Sequence, residues 1–307
     1  MRVLIITGDT TFVPGHPRYD LQKQYVDELD VVYWGGGHIW PKVPKKPYDV
    51  LSTQDPFWRG LFGLLISRIR KVPLNVQVHA DVSGQSVVKK LLARFVLRQA
   101  VSVRVVSQKI KEQVQAFGVT APITILPVFI DAGSFTSVIR KSHTGKKILW
   151  VGRMEEEKNP LLALTVFKEV LKEVPDAQLV MLGSGSLSEK VAACAAELPV
   201  QESLHRPGWQ NPALYMDTAD VVLCTSNFES WGASIVEALA AGVPVVAPDV
   251  GVAREAGARV VPRERLAKEV IQVLYSNEQG VLKLALPTAS QWGKLWRESL
   301  LPVKVSA

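Results

Sequence analysis

What most constrains this chain is a series of short, β-branched, almost wholly apolar runs separated by stretches with helical patterning. In the first half these are VLIIT (3–7), DVVYW (30–34), YDVLST (48–53), LNVQVH (74–79), VSVRVVS (101–107) and ITILPVFI (123–130). KKILWVG (146–152), AQLVMLG (177–183), DVVLCTS (220–226), VPVVAP (243–248) and ARVVP (258–262) follow in the second. Strands that are apolar on both faces belong in a parallel sheet covered by helices on both sides. The pattern therefore predicts an α/β chain made of two Rossmann-like, doubly wound domains. The polar, glycine-bearing stretch DAGSFTSVIRKSHTGKK (131–147) reads as the connection between them. This gives a first domain over 1–140, a second over 141–287, and a terminal helical segment over 288–307. In that segment Trp292, Trp296 and Leu300 recur every four residues, the stripe of a helix that packs back on the first domain. A length of 307 residues suffices for two such cores.

Composition narrows the function classes. The two cysteines, Cys194 in a predicted helix and Cys224 in a predicted strand, have neither metal-ligand spacing nor the even series of a disulfide framework, which favours a reducing, cytoplasmic setting. The opening apolar run is too short for a signal peptide, and no stretch reaches the roughly 18 apolar residues of a membrane span. A formal net charge of +7 fits an anionic partner such as a nucleotide or a phospholipid surface. Nucleic acid is disfavoured, because no dense basic run interleaved with aromatics occurs.

Ligands of open α/β sheets bind beyond the carboxyl ends of the strands, so the chemistry is sought in the loops there. In SNFESWGASIVEALAAGVPVVAPD (226–249), a loop carrying Glu229 follows a strand and leads into a helix carrying Glu237. The first amides of that helix, near Trp231, Gly232 and Ala233, favour an anion such as a diphosphate. Two carboxylates beside a phosphate make sense if they accept hydrogen bonds from sugar or ribose hydroxyls. The same residues also fit a capping box running from Ser226 to Glu229. In GRMEEEKNP (152–160) the cations Arg153 and Lys158 sit at a strand's carboxyl end, with Asn159 suited to the N-cap and Pro160 to the first helical position. They suit a departing diphosphate, provided that Glu155, Glu156 and Glu157 point away; a solvated ion-pair cluster is the alternative.

Gly152-Arg153 with Lys158, then Glu229-x7-Glu237 running into EALAAGVPVVAPDVG, resembles the donor half of a retaining glycosyltransferase of the GT-B fold, family 4. The first half is similar more loosely, through VQVHAD, VVSQKIKEQVQAFGV and ITILPVFID. The resemblance implies a nucleotide-sugar donor and an unidentified acceptor. It places Glu229 beside the donor sugar, the amides of Ser230, Trp231 and Gly232 on sugar hydroxyls, Glu237 on the ribose, and Arg153 and Lys158 on the diphosphate. His79 falls near the reacting centre on the acceptor side. No cofactor and no metal are expected: there is no Asp-x-Asp, and Arg153 with Lys158 would replace a metal's charge.

Physical reading adds that His79, at a strand's end with Asp81 two residues on, could hydrogen-bond a hydroxyl or carry a proton near neutral pH. The glycine-rich loop usual after the first strand is reduced to Gly8 and Gly15, with Gly15 and His16 the nearest replacement. Gly183 and Gly185 read as a strand-to-helix turn near the nucleotide and lack a dinucleotide fingerprint. Gly208 and Trp209 are candidates for the base, and Asp55 and Trp58 for the acceptor. Lys90, Arg94 and Arg98, four residues apart beside an apolar face, read as a membrane-surface helix, peripheral at the inner face, or more simply as a solvated face over a core stripe. A non-catalytic nucleotide-sugar-binding protein, an epimerase or hydrolase of the same architecture, and an NAD-type oxidoreductase remain alternatives.

Overall fold

The computed structural model describes residues 1–35, 40–276 and 278–302. It divides into two units, residues 1–129 joined by the segment from Pro287, and residues 130–286. Each is built on a six-stranded, wholly parallel sheet.

The first sheet comprises β1 (Arg2–Thr7), β2 (Glu28–Tyr33), β3 (Val50–Thr53), β4 (Leu74–Val78), β5 (Ser102–Val105) and β6 (Ile123–Ile125), in the order β2-β1-β3-β4-β5-β6. The second comprises β7 (Lys146–Val151), β8 (Ala177–Leu182), β9 (Leu204–Gly208), β10 (Val221–Leu223), β11 (Val245–Ala247) and β12 (Arg259–Val260), in the order β12-β11-β10-β7-β8-β9. Several strands lie below the reach of water on both faces, as their unbroken Val/Ile/Leu runs demand. In the second unit the chain winds outward from β7 to β9, then returns to lay β10 on the other side of β7. The strand order reverses between β7 and β10, and that crevice is where an open α/β sheet takes its ligand.

Two sequence expectations shift. The segment ITILPVFI is strand only over 123–125, because Pro127 cannot donate to a ladder. The expected boundary at 140/141 moves back to 129/130. Residues 130–140 look polar and linker-like, yet they belong to the second unit. The short helix Ala132–Thr136 packs on the helix Ala233–Ala240, and Phe135 is buried. Arg140 Nη1 then donates to Met216 O at 3.0 Å, and Lys141 N to Asp217 O at 2.7 Å.

The terminal helix Ala289–Ser299 carries a complete capping box between Thr288 and Gln291. Trp292, Trp296 and Leu300 are buried in the core of the first unit beside Val3, Ile5, Leu21 and Leu29, and Trp292 Nε1 donates to Pro127 O at 2.9 Å. Residues 303–307 of the predicted terminal segment lie outside the described residues.

The helix Val87–Leu97 departs from the simpler reading of a solvated basic face over a core stripe. Ala93, Val96 and Leu97 face the core, but Val87, Val88, Leu91 and Phe95 stand exposed beside the equally exposed Arg94 and Arg98. Its outer surface is therefore both apolar and basic. Among the described residues no helix is long and apolar enough to cross a membrane.

Candidate functional site

The loops that follow β7 and β10, neighbours across the switch point, are laced together by backbone-directed hydrogen bonds. Asn227 N donates to Glu157 O and Asn227 Nδ2 to Glu156 O, both at 2.8 Å, while Asn159 Nδ2 reaches Asn227 Oδ1 at 3.2 Å. Thr225 Oγ1 accepts from Trp150 Nε1 at 3.0 Å and lies 3.0 and 2.9 Å from the carbonyls of Lys158 and Asn159. Arg263 Nη2 clamps the same loop from outside, at 2.9 Å from Ser226 O and 3.0 Å from Asn227 O. This lacing brings Lys158 Nζ onto the Glu229 carboxylate, with the two side chains only 19% and 10% exposed. Ser226 Oγ donates to Glu229 Oε1 at 2.7 Å.

The capping-box alternative does not hold. No helix starts at Ser226, and the helix Ala233–Ala240 begins after Gly232, whose φ of +96° would strain any other residue. Nor does Asn159 cap the following helix Pro160–Leu171 with its side chain; at φ +49° it turns that side chain to Asn227 instead.

Thr225→Val should therefore act at a distance. It leaves the buried Trp150 N–H without an acceptor, and the expected loss is about 1–3 kcal/mol of stability. Thermal melts check the loss. A nucleotide titration should also register it, because the segment carrying Lys158 loses a tie.

Glu237 lies one turn into the 233–240 helix. Burial raises its carboxyl pKa to about 7, and the nearby Lys158 charge only partly offsets this. Lys158 is thus electrostatically coupled to both glutamates. The first amides of the helix, at Ala233 and Ser234, have no intrahelical acceptor and remain for an anion.

The pH dependence follows from the raised value. The folded chain holds the Glu237 proton more tightly than the unfolded chain does. The stability this brings is complete below the ordinary carboxyl value near 4.5 and is lost as pH rises through about 7. Wild-type stability should then fall between pH 5.5 and pH 8 more steeply than that of Glu237→Gln, by about 2 kcal/mol. Parallel melting curves for the two proteins would remove the effect.

The three acids of the β7 loop do not all point away. Glu155 turns to Ser186, accepting from its N at 2.8 Å and its Oγ at 2.6 Å, which lowers its pKa. Glu157, however, sits on the 62% exposed Arg153. Both cations singled out in the sequence are therefore held by carboxylates.

Gly152, Gly183 and Gly208 line up across the ends of β7, β8 and β9. Gly152 N donates to Leu182 O at 3.0 Å and Gly183 N to Gly208 O at 2.8 Å. A Cβ on Gly183 would lie 1.9 Å from Gly152 O, so this close approach admits only glycine. Trp209, which follows, is 63% exposed and available for stacking.

In the first unit, Gly15 (φ +90°) has nothing within 4 Å of its would-be Cβ, and His16 Nδ1 caps the helix Pro17–Lys23 by accepting from Arg18 N at 3.3 Å. The tight glycine of this edge is Gly8, where a Cβ would meet Arg59 Nη2 at 2.0 Å. Arg59 is itself fixed on Asp55 at 2.7 Å. Asp81 is engaged in its own turn, accepting from Ser83 and Gly84. Trp58 is exposed.

His79 follows β4 and is half-buried, its Nε2 3.3 Å from Gln77 Oε1. Burial, then the charges of Arg104 and Arg18, hold its pKa well below the usual imidazole value, with Asp9 opposing. Of the two expectations for this ring, the lowered pKa speaks against carrying a proton near neutral pH and leaves hydrogen bonding to a hydroxyl open.

Sequence reasoning missed Thr225, Arg263 and Gly251. A Cβ on Gly251 would come within 2.3 Å of Trp231 O and 2.9 Å of Glu229 Cβ, while Val252 N bonds Trp231 O at 2.9 Å. The available signal was the glycine itself, four residues past the end of β11.

With this geometry in view, residues 134–278 match the family described as glycosyl transferases group 1, and residues 13–128 match the glycosyl transferase 4-like domain. The chain is 27% identical over 226 residues to the alpha-monoglucosyldiacylglycerol synthase of Streptococcus pneumoniae, covering 65% of this chain and 51% of that protein. It is 29% identical over 219 residues to a phosphatidyl-myo-inositol mannosyltransferase of Mycobacterium tuberculosis, covering 66% of this chain and 55% of that one. The chain thus spans about half the length of these relatives. Among solved structures, Anabaena HepE in complex with UDP and glucose aligns with a TM-score of 0.72 at 15% identity, over 98% of this chain and 96% of that one. A likeness at that identity speaks to fold alone.

Proposed function

Because the chain belongs to the family-4 glycosyltransferases of the GT-B fold, we propose that it moves a sugar from a nucleoside-diphosphate sugar to an acceptor hydroxyl, with retention at the anomeric carbon and without a metal. The observation that carries this reading is Lys158, held on Glu229 and coupled to Glu237 at the β7/β10 switch point. A diphosphate arriving there would take over the Lys158 ammonium, the Arg153 guanidinium and the first amides of the 233–240 helix. Release from Lys158 would free Glu229 to accept a hydrogen bond from a sugar hydroxyl, while amides of Ser230, Trp231 and Gly232 donate to others. Glu237 would accept from the ribose, with Gly183 and Gly208 beneath the nucleotide and Trp209 against the base. As the bond from the anomeric carbon to the phosphate oxygen breaks, the acceptor oxygen bonds that carbon from the same face. The acceptor's proton goes to the departing phosphate oxygen. The two cations would stabilise the charge that develops on the leaving group.

The test is release of nucleoside diphosphate from UDP-, GDP- and ADP-sugars, with and without EDTA, across a panel of acceptor alcohols and lipids. Acceptor-dependent release that ignores EDTA, with the donor's anomeric configuration kept in the product, is the expected result. Release of free sugar without any acceptor would make the protein a hydrolase instead.

The outer face of the 87–97 helix supports a finer statement, that the acceptor is met at an anionic lipid surface. Its exposed Val87, Leu91 and Phe95 could enter the acyl boundary while Lys90, Arg94 and Arg98 meet the headgroups. The protein should sediment with anionic vesicles and not with neutral ones, and Leu91→Glu with Phe95→Glu should abolish this without altering nucleotide binding. Wild-type protein left in the supernatant at low salt would refute it.

A further inference from the structure

Beneath His79 the first unit contains a chain of buried polar groups that no apolar sheet requires. Ser102 Oγ donates to Leu300 O at 2.7 Å, at the end of the terminal helix. Asn75 Nδ2 donates to that Oγ and to Ser299 O, each at 2.9 Å. Asn75 Oδ1 accepts from Ser52 Oγ at 2.8 Å, and Ser52 Oγ accepts from Gln77 Nε2 at 2.9 Å. Gln77 Oε1 accepts from Arg104 Nη1 at 2.7 Å and faces His79 Nε2. Ser52, Asn75, Gln77, Ser102 and Arg104 are each 3% exposed or less.

The direction of this chain is forced from both ends. Backbone carbonyls only accept, so Ser102 must donate to Leu300 O and Asn75 must present its amide NH₂ to Ser299 O and to Ser102, and its oxygen to Ser52. A guanidinium only donates, so Gln77 must present its oxygen to Arg104. That oxygen has no proton to give, and the ring nitrogen facing it must carry one.

We infer that His79 works as the Nε2–H tautomer, offering the Nδ1 lone pair to a substrate hydroxyl, and that Gln77 and Arg104 are the positioning residues that hold it so. Nδ1 has no protein partner among the described residues, so its lone pair is available. Arg104 suits the task because no carboxylate among the described residues pairs with it. It donates also to Leu126 O at 3.1 Å and Pro127 O at 2.8 Å, and its guanidinium lies 5.1 Å from the Trp292 ring centroid. Burial draws its pKa to about 9, which still leaves a charge at neutral pH to oppose a second one on His79. The other charged groups acting on the ring are Arg18, which also opposes protonation, and Asp9, which favours it. A neutral ring with a fixed tautomer accepts from a hydroxyl at Nδ1; an imidazolium could only donate.

The functional half rests on the transferase reading, and the experiment keeps the two apart. Long-range proton–nitrogen correlation spectra of ¹⁵N-labelled protein, with His79 assigned by its loss in His79→Gln, should show Nε2 protonated and Nδ1 bare from pH 8 down to pH 6. A protonated Nδ1, or an imidazolium at pH 6.5, would overturn the assignment whether or not the protein transfers sugar. Gln77→Leu should give mixed tautomers and a kcat lowered about tenfold or more, with a shifted pH profile and unchanged affinity for free nucleoside diphosphate. Mixed tautomers with unaltered kcat and pH profile would remove the positioning role while leaving the transferase reading intact.

Discussion

Glu229→Gln is expected to lower turnover by at least about 100-fold while free nucleoside diphosphate binds as tightly as to the wild type, or more tightly. The asymmetry comes from the pair it breaks. In the unliganded chain the Glu229 carboxylate holds the Lys158 ammonium and accepts from Ser226, so a phosphate must compete for that cation. A glutamine amide releases Lys158 to the phosphate but no longer accepts as a carboxylate does from a sugar hydroxyl while charge develops at the anomeric carbon. Loss of one preorganised polar group of that kind costs roughly 10²–10³ in rate. Parallel measurements of kcat and of UDP or GDP affinity check it. Equal losses in both would make Glu229 a structural brace.

Lys158→Met should damage everything at once. It removes the charge proposed to meet the diphosphate and leaves a mostly buried carboxylate on Glu229 whose remaining partner among the described residues is Ser226. Breaking a buried pair from one side typically costs about 3 kcal/mol of stability, and a lost charge-assisted contact lowers nucleotide affinity roughly 10- to 100-fold. The double variant Glu229→Gln with Lys158→Met should recover much of the stability, because no orphan charge remains, while staying inactive. Thermal melts and nucleotide titration of the three variants separate these effects. A double variant no more stable than Lys158→Met would show that the pair is not a coupled unit.

The contrast between these variants reflects which parts of the site were legible in the chain. Arg153, Lys158 and Glu229 could be singled out because they lie in the loops at the carboxyl ends of two apolar strands, and Glu237 because it follows one of those loops in the next helix; the two loops are neighbours at a switch point. What could not be read was their pairing. Nothing in GRMEEEKNP says that Glu157 would sit on Arg153 while Glu155 turned to Ser186, since three adjacent acids differ only in the direction each leaves the 3₁₀ turn. Thr225 and Arg263 were invisible for a related reason. A threonine after a strand and an arginine before a helix are ordinary, and their work lies in carbonyls reached across long gaps in the sequence.

Eleven of the twelve described strands were plain, because β-branched runs buried on both faces have few other uses; β9 was not, because LHRPG is largely exposed and carries no apolar run. Their ends were less so. ITILPVFI continues apolar past its last ladder bond, and the carbonyls of Leu126 and Pro127 turn instead to Arg104. In LNVQVH and VSVRVVS, Asn75, Gln77 and Arg104 alternate with valines inside a sheet buried on both sides. That alternation was the available sign of the polar chain under His79, but it is intelligible only once the carbonyls of the terminal helix are seen to close it. The 130–140 segment misled for the opposite reason, its polar composition hiding the carbonyl partners that bind it to the second unit.

The most direct test of the central claim, that the Lys158 site receives a nucleoside diphosphate, is calorimetric titration of the intact protein with UDP, GDP, ADP and NAD, in EDTA and then with added divalent metal. One diphosphate should bind in EDTA, metal should add little, Lys158→Met should weaken binding roughly 10- to 100-fold, and Glu229→Gln should not. A folded protein that binds no diphosphate, or one whose binding requires metal and ignores Lys158→Met, would contradict it.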